Sequence, residues 1–309
     1  MQHEALSFAS FWAGGTLPAY EAACLRSFAV RGYKIALYSF EVIRNVPGGV
    51  TLKDASEIAP ADSLQRFHYK GKPNLAHFSD YFRYLMFRET EYIWVDTDML
   101  LLAPITVALE RTLLARESSN SINNAIIRLD NKGPELGRMI SETEALMDRD
   151  QHWGATGPRL LTKLFRDSPI MRNVFETRLF FPIPHDDFWK PFLPEFREEC
   201  EAARTGAFTL HLWNNIVSRL GVWKSIAPPA GSFLHHRFEQ DGSLGLFSDI
   251  YPEGVMRQMI ENWRMRKDGG DLGIVNLSRQ IVPSMFRTLR HYAGDARIHT
   301  LLGGKRASA

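Results

Sequence analysis

Ala5 to Trp12 is a largely apolar run that stops at Gly14-Gly15, and Lys34 to Tyr38 is a second such run. Between them Pro18 stands near the start of a segment in which Tyr20, Ala23, Cys24, Ser27 and Phe28 recur at helical spacing, and Gly32 closes it. Side chains three and four apart share a helix face, and proline suits a first helical turn, where the nitrogens have no intrahelical partner. Strand, helix and strand in so short a stretch make a βαβ unit. Such a unit implies a parallel sheet with a right-handed crossover.

The rest of the chain extends that pattern. Val46-Pro47-Gly48-Gly49-Val50 reads as a turn. Ala76 to Arg88 is strongly periodic, with Phe78, Tyr81, Phe82, Leu85 and Met86 on one side. Asn123 to Arg128 reads as a strand, Glu135 to Met147 as a helix, and Gly154 to Phe165 as a turn leading into a helix. Phe180 to Pro184 and Ala207 to Leu212 read as short extended pieces, and Pro228 to Gly231 as a loop. After about Glu239 the segments turn basic and helical, notably Val255 to Arg266 and Ser278 to Tyr292. The reading is an α/β class with a C-terminal helical extension, residues 1–238 as the main domain and 239–309 as the extension.

The run Tyr92-Ile93-Trp94-Val95-Asp96-Thr97-Asp98-Met99-Leu100-Leu101-Leu102 sets two acids into an apolar strand. An ionised carboxylate is costly to desolvate without a partner. On an extended chain residues two apart point the same way, so Asp96 and Asp98 can face one ion. Hard divalent cations such as Mg²⁺ or Mn²⁺ take such oxygen ligands and commonly complete their shell with phosphate oxygens. An Asp-rich turn that merely ends a strand is the alternative. In the helix before it, Asp80 and Arg83 lie three apart on one face. They could hold sugar hydroxyls, the carboxylate accepting and the guanidinium donating, or could form a plain surface ion pair.

With 309 residues the chain suffices for one large domain or two small ones, and 45% apolar with 23% charged residues is a globular composition. A net charge of +2 argues against a dedicated nucleic-acid binder. Met256 to Ala309 carries ten Lys/Arg against four Asp/Glu, a local charge of +6 that leaves −4 on the remainder. Arg257, Arg264, Arg266, Lys267, Arg279, Arg287 and Arg290 alternate there with apolar residues, as on a helix lying on an anionic membrane surface or on one packed with a solvated basic face. Cys24 and Cys200 form no motif, no apolar stretch has the length of a membrane span, and no secretory signal is visible. A cytoplasmic protein, peripheral at most to the inner face of a membrane, is the expectation.

The Ser79-Asp80-x-x-Arg83-Tyr84 helix followed by an apolar Asp-x-Asp strand resembles the DXD-containing glycosyltransferases of family 32, which include bacterial capsule and lipopolysaccharide sugar transferases. Phe11-Trp12 with Gly14, Thr156-Gly157-Pro158 at a helix start and His211-Leu212-Trp213 continue the resemblance from Phe8 to Phe233. Where that family usually has Gly-Gly before the acidic strand, this chain has Arg88-Glu89-Thr90-Glu91, which alters a turn and removes no ligand.

The resemblance implies a GT-A fold, a Rossmann-like mixed sheet that binds a nucleotide-sugar at the carboxyl ends of its strands. It implies Phe11, Trp12 and Gly14 against the nucleotide and Asp80 and Arg83 on the donor sugar. Asp96 would face nucleotide-sugar and metal, Asp98 would be the main ligand of Mn²⁺ or Mg²⁺, and His211 would stand near metal and diphosphate. The implied activity moves a sugar, with retained configuration, from a UDP- or GDP-sugar to a glycan or lipid-linked acceptor. No side chain stands out as a nucleophile, which suggests a front-side route.

From the residues alone, Asn123 and Asn124 could hold a sugar hydroxyl or the acceptor or simply form a turn, and Thr156-Gly157-Pro158 could admit backbone close to substrate or merely begin a helix. His185-Asp186-Asp187 reads either as a second metal site or as a solvated turn, and His235-His236 sits in loop context. Two other classes stay open: a haloacid-dehalogenase-like phosphatase, which also begins from Asp-x-Asp, and a non-catalytic sugar-nucleotide-binding relative.

Overall fold

The computed structural model describes residues 6–107, 109–267, 282–283 and 285–286. Two compact units partition the chain, Met1–Arg257 and Gln258–Ala309. The first unit holds every candidate site residue. The proposed helix Ser278 to Tyr292, with Arg279, Arg287 and Arg290, lies almost wholly outside the described residues.

The βαβ unit is present as β1 (Ser7–Phe11), α1 (Ala19–Ala29) and β2 (Lys34–Ser39), and β1 pairs with β2 in parallel. The Val46 to Val50 turn leads into a further parallel strand, β3 (Val50–Asp54). That strand is mostly exposed, and its brief Val50-Thr51-Leu52-Lys53 alternation buries neither apolar residue, Val50 being half-buried and Leu52 exposed. Two short strands, β4 (His68–Tyr69) and β5 (Lys72–Pro73), precede helix α2 (Leu75–Glu89). Asn74 caps α2 by accepting from the His77 N–H at 3.0 Å. Burial continues almost unbroken from His77 to Phe87, which is why this helix carries aromatic residues around most of its surface.

The acidic run is not one strand but two, β6 (Ile93–Val95) and β7 (Met99–Leu101), with Asp96–Asp98 in the turn between them. The Met99 N–H donates to the Asp96 carbonyl at 3.0 Å and closes that turn. Beyond it come β8 (Leu113–Ser118) and β9 (Ser121–Arg128), then α3 (Pro134–Glu144), β10 (Asp150–Gln151) and α4 (Pro158–Phe165). The main sheet runs β3-β2-β1-β6-β9-β8, parallel from β3 to β6 and antiparallel from β6 to β8. It is a mixed sheet flanked by helices.

Phe180 to Pro184 is not extended: α5 (Thr177–Phe180) ends there and the chain enters a loop. Next come α6 (Arg197–Ala203), β11 (Thr209–His211), α7 (Asn214–Leu220), α8 (Phe233–Gln240) and α9 (Glu253–Lys267). His235 and His236 lie on α8, which Ser232 caps, and not in a loop. Cys24 and Cys200 are both buried and unpaired.

Candidate active site

Topology puts the site where the sheet changes direction of travel. From β1 the chain moves to β2 on one side, whereas β6 pairs with β1 on the other. The carboxyl ends of the adjacent parallel strands β1 and β6 therefore open into one crevice, the usual ligand position in open α/β sheets. Phe11 ends one strand with Trp12 just beyond it, and Asp96 follows the other. Both segments border a cavity of about 640 Å³.

Asp96, Asp98 and His211 converge there, each offering one ligand atom within 4.8 Å of the others. This is the one cluster of three or more potential metal-binding side chains among the described residues. His211 arrives on β11, which pairs antiparallel with β7 in the register His211 to Met99. The Leu212 N–H donates to the Asp98 carbonyl at 3.0 Å, and the Asn214 N–H to Asp98 Oδ2 at 2.7 Å. His211 Nε2 lies 3.3 Å from the same oxygen. Trp213 takes a left-handed backbone with φ of 55°, and its ring packs 4.1 Å from that of His211.

Asp96 is held from the opposite side. Its Oδ1 accepts from Trp94 Nε1 at 2.6 Å and lies 3.1 Å from Arg83 Nη2. Arg83 is the hub. It also pairs with Asp80 at 3.2 Å, donates to the Asn124 carbonyl, and stacks 4.5 Å over the Trp94 ring. Asp80 spends both oxygens: Oδ1 accepts from Asn124 Nδ2 at 2.6 Å and Oδ2 from the Thr156 hydroxyl at 2.7 Å. Asn123 donates to Glu117 at 3.0 Å and accepts the Ala125 N–H at 2.7 Å.

Electrostatics separate the two acids. Burial pushes the Asp96 carboxyl above its ordinary range; Arg83 pulls it back and the charge of Asp98 adds to the rise. Burial acts the same way on Asp98, but His211 and the Asn214 N–H together outweigh it and hold that carboxyl low. Burial depresses His211, and the Asp98 carboxylate more than reverses this. Two carboxylates and an imidazole suit a divalent cation of the Mn²⁺ or Mg²⁺ kind. Each acid keeps one oxygen outside the hydrogen bonds named above, so the donor set fits such an ion.

Most sequence-derived candidates meet in this cavity, though not all in the same capacity. Phe11, Trp12, Asp80, Arg83, Asp96, Asp98, Asn123, Asn124, Pro158 and His211 line it. Gly14, with φ of 120°, turns the chain beyond the lining residue Ala13. Thr156 and Gly157 are buried behind Asp80 rather than lining the cavity. Gly157 leaves room for the carboxylate: a Cβ there would sit 2.6 Å from Asp80 Oδ2 and 2.7 Å from Asn124 Nδ2. Gly157→Ala is therefore expected to cost about 1–3 kcal/mol by overpacking, read as a lower urea midpoint at unchanged m-value. An unchanged midpoint would show that Asp80 and Asn124 are free to move.

His185-Asp186-Asp187 forms no metal cluster among the described residues. Asp187 pairs with Lys190 at 3.1 Å, and His185 packs edge-on against Trp213 at 5.5 Å while bordering the cavity. Glu21, Asn214 and Lys224 escaped the sequence reading. The buried Glu21 accepts from Asn214 Nδ2 at 2.7 Å and pairs with Lys224. A glutamate on the inner face of α1 was the available signal, since buried acids require partners.

No family model matches the chain. It is similar to lactosylceramide 4-alpha-galactosyltransferase from Pan troglodytes and from Homo sapiens, 27% identical over 141 residues in each case, covering 40% of this chain and 37% of the relative. With the Pongo pygmaeus protein of that name it is 27% identical over 140 residues, covering 40% of this chain and 60% of the relative. The chain thus spans less than two thirds of the length of these relatives. Among solved structures, the PaToxG glycosyltransferase aligns with a TM-score of 0.35 at 12% identity, covering 54% of this chain and 71% of that one. The sequence similarity to glycosyltransferases is distant.

Proposed function

We propose that this protein is a metal-dependent glycosyltransferase of GT-A type, moving a sugar from a nucleoside diphosphate to a glycan or glycolipid acceptor with retention. The observation that carries the reading is the convergence of Asp96, Asp98 and His211 at the carboxyl ends of β1 and β6, in a cavity that Asp80 and Arg83 also line. The distant similarity to the galactosyltransferases supports transfer as the reaction class. Their name refers to lactosylceramide, which favours a lipid-linked or oligosaccharide acceptor here. A role in surface polysaccharide synthesis at the inner face of a bacterial membrane belongs to the same proposal.

Asp98, Asp96 and His211 would hold the cation. When bound, it neutralises the charge that builds on the departing diphosphate. Asp98 is fastened by two backbone N–H groups of the β11–α7 segment, one on its carbonyl and one on its carboxylate, so it is oriented before any ligand arrives. Arg83 opposes the pull of burial on the Asp96 carboxyl and favours its charged form. Phe11 and Trp12 offer aromatic surface to a base. Asp80 has both oxygens engaged by Arg83, Asn124 and Thr156, which suits it to fixing a sugar hydroxyl and not to attacking carbon. This supports a front-side displacement, in which the leaving phosphate takes the acceptor's proton.

A thermal-shift screen of UDP-, GDP- and CMP-sugars, each with and without Mn²⁺, tests the reading. One nucleotide-sugar is expected to raise the melting temperature only with the metal; ligand at about 100 times its dissociation constant adds about 2.7 kcal/mol. No response to any combination would remove the transferase reading.

A further inference from the structure

One part of the cavity lining has no role in holding the donor as proposed above. Trp153 is 44% exposed and Leu75 53%, and they are the exposed large apolar side chains that line this cavity among the described residues. Phe11, Trp94 and Trp213, which line it too, are buried. An indole left open to water forgoes apolar burial unless a ligand covers it.

This indole is braced. Its ring meets Tyr69 at 5.8 Å and 68°, and His77 at 6.2 Å and 40°. His77 in turn meets Tyr69 edge-on at 6.1 Å. Tyr69 lies on β4, the middle strand of a small sheet with β5 and β10, so the platform rests on backbone pairing. Immediately after Trp153 the chain turns at Gly154, with φ of 76°.

Polar groups stand at its edge. His77 is 1% exposed, neither ring nitrogen has a well-formed hydrogen bond among the described residues, and the His68 backbone offers the ring only partial compensation for burial. Leaving such a group unsatisfied is costly. Burial lowers the affinity of His77 for a proton, so the ring is neutral near neutral pH and can both donate and accept. The exposed Arg159 adds donors to the same lining. A flat apolar face bordered by donors and acceptors complements a pyranose ring, which carries C–H bonds on one face and hydroxyls around its rim.

We propose that Trp153, with Leu75 and His77, forms the acceptor subsite and binds a neutral sugar ring stacked on the indole. The inference rests on the transferase reading for its place in the reaction, but binding of the sugar ring is independent of it. The full chain labelled with 5-fluorotryptophan allows a direct test, with the Trp153 fluorine resonance identified by its loss in Trp153→Phe. Titration with methyl β-glucoside, methyl β-galactoside and N-acetylglucosamine is expected to shift that resonance for at least one of them. No shift with any of the three, or a shift only with an acidic sugar such as glucuronate, would overturn the proposal.

With a donor identified by the thermal screen, the kinetics give a second readout. Trp153→Ala is expected to raise the acceptor KM about three- to tenfold, the worth of one aromatic contact, with Trp153→Phe in between. Donor hydrolysis, in which water replaces the acceptor, is expected to stay within about twofold. An unchanged acceptor KM, or hydrolysis falling in parallel, would overturn the subsite. Should no donor be found, the fluorine shift still decides whether a sugar ring binds, and only the transferase reading falls.

Discussion

In Asp98→Ala, metal-dependent sugar transfer is expected to fall by about 10²–10³-fold, equivalent to roughly 3–4 kcal/mol of lost transition-state stabilisation. The size follows from how much converges on one carboxylate. Asp98 is buried, meets His211 at 3.3 Å and accepts the Asn214 N–H at 2.7 Å, and these contacts hold it ionised without help from solvent. Asp98→Asn keeps an oxygen for the Asn214 N–H and loses the charge. It should therefore lose Mn²⁺ affinity nearly as completely while unfolding close to the wild-type temperature. Calorimetric Mn²⁺ titration beside initial rates separates the two effects. Wild-type turnover without added metal in Asp98→Ala would defeat the metal-dependent mechanism.

Arg83→Met is expected to give the largest loss of stability, about 3–5 kcal/mol, because it strands two acids in the interior. Arg83 is 3% exposed and serves Asp80, Asp96 and the Asn124 carbonyl together. Removing one partner of a buried charge network costs more than the network itself contributes, since the remaining charges keep their desolvation penalty. Arg83→Lys keeps the charge but cannot span three acceptors with a planar fork, so an intermediate loss is expected. Thermal unfolding reads both. At roughly 2–4 °C per kcal/mol, the Met variant should melt about 6–20 °C lower. A shift of under about 2 °C would mean that water reaches Asp80 and Asp96 freely.

The parts legible in the sequence were those with local periodicity or with a charge in an apolar run. The β1–α1–β2 unit, the aromatic helix α2 and the two acids after Trp94 all carry such signals. Strand β3 carries only a brief alternation: its side chains are largely exposed, and its place is fixed by pairing with β2. The acidic run reads as a continuous strand because apolar residues flank its acids on both sides, but β6 pairs with β1 and β9 whereas β7 pairs with β11, and the turn at Asp96–Asp98 carries the chain from one sheet to the other. Thr156 and Gly157 show the same limit. Their motif was visible, yet their work, bracing Asp80 and making room for it, depends on a helix far away in sequence. The Glu21–Asn214–Lys224 group joins residues from opposite ends of the first unit, and the local sequence around Glu21 shows a buried acid but not its partners.

The bond from the Asn214 N–H to Asp98 spans 116 positions of sequence. During synthesis both aspartates leave the ribosome long before β11 does. Until Thr209–His211 docks on β7, Asp98 lacks His211 and both backbone donors, although every strand of the main sheet precedes β11 in the chain. A nascent or prematurely terminated chain can thus build its scaffold and bury much of its core while the charged centre is still unassembled. Assembly of that centre is in this sense a checkpoint on completion: a chain that stops short of β11 carries the acids without the segment that orients them.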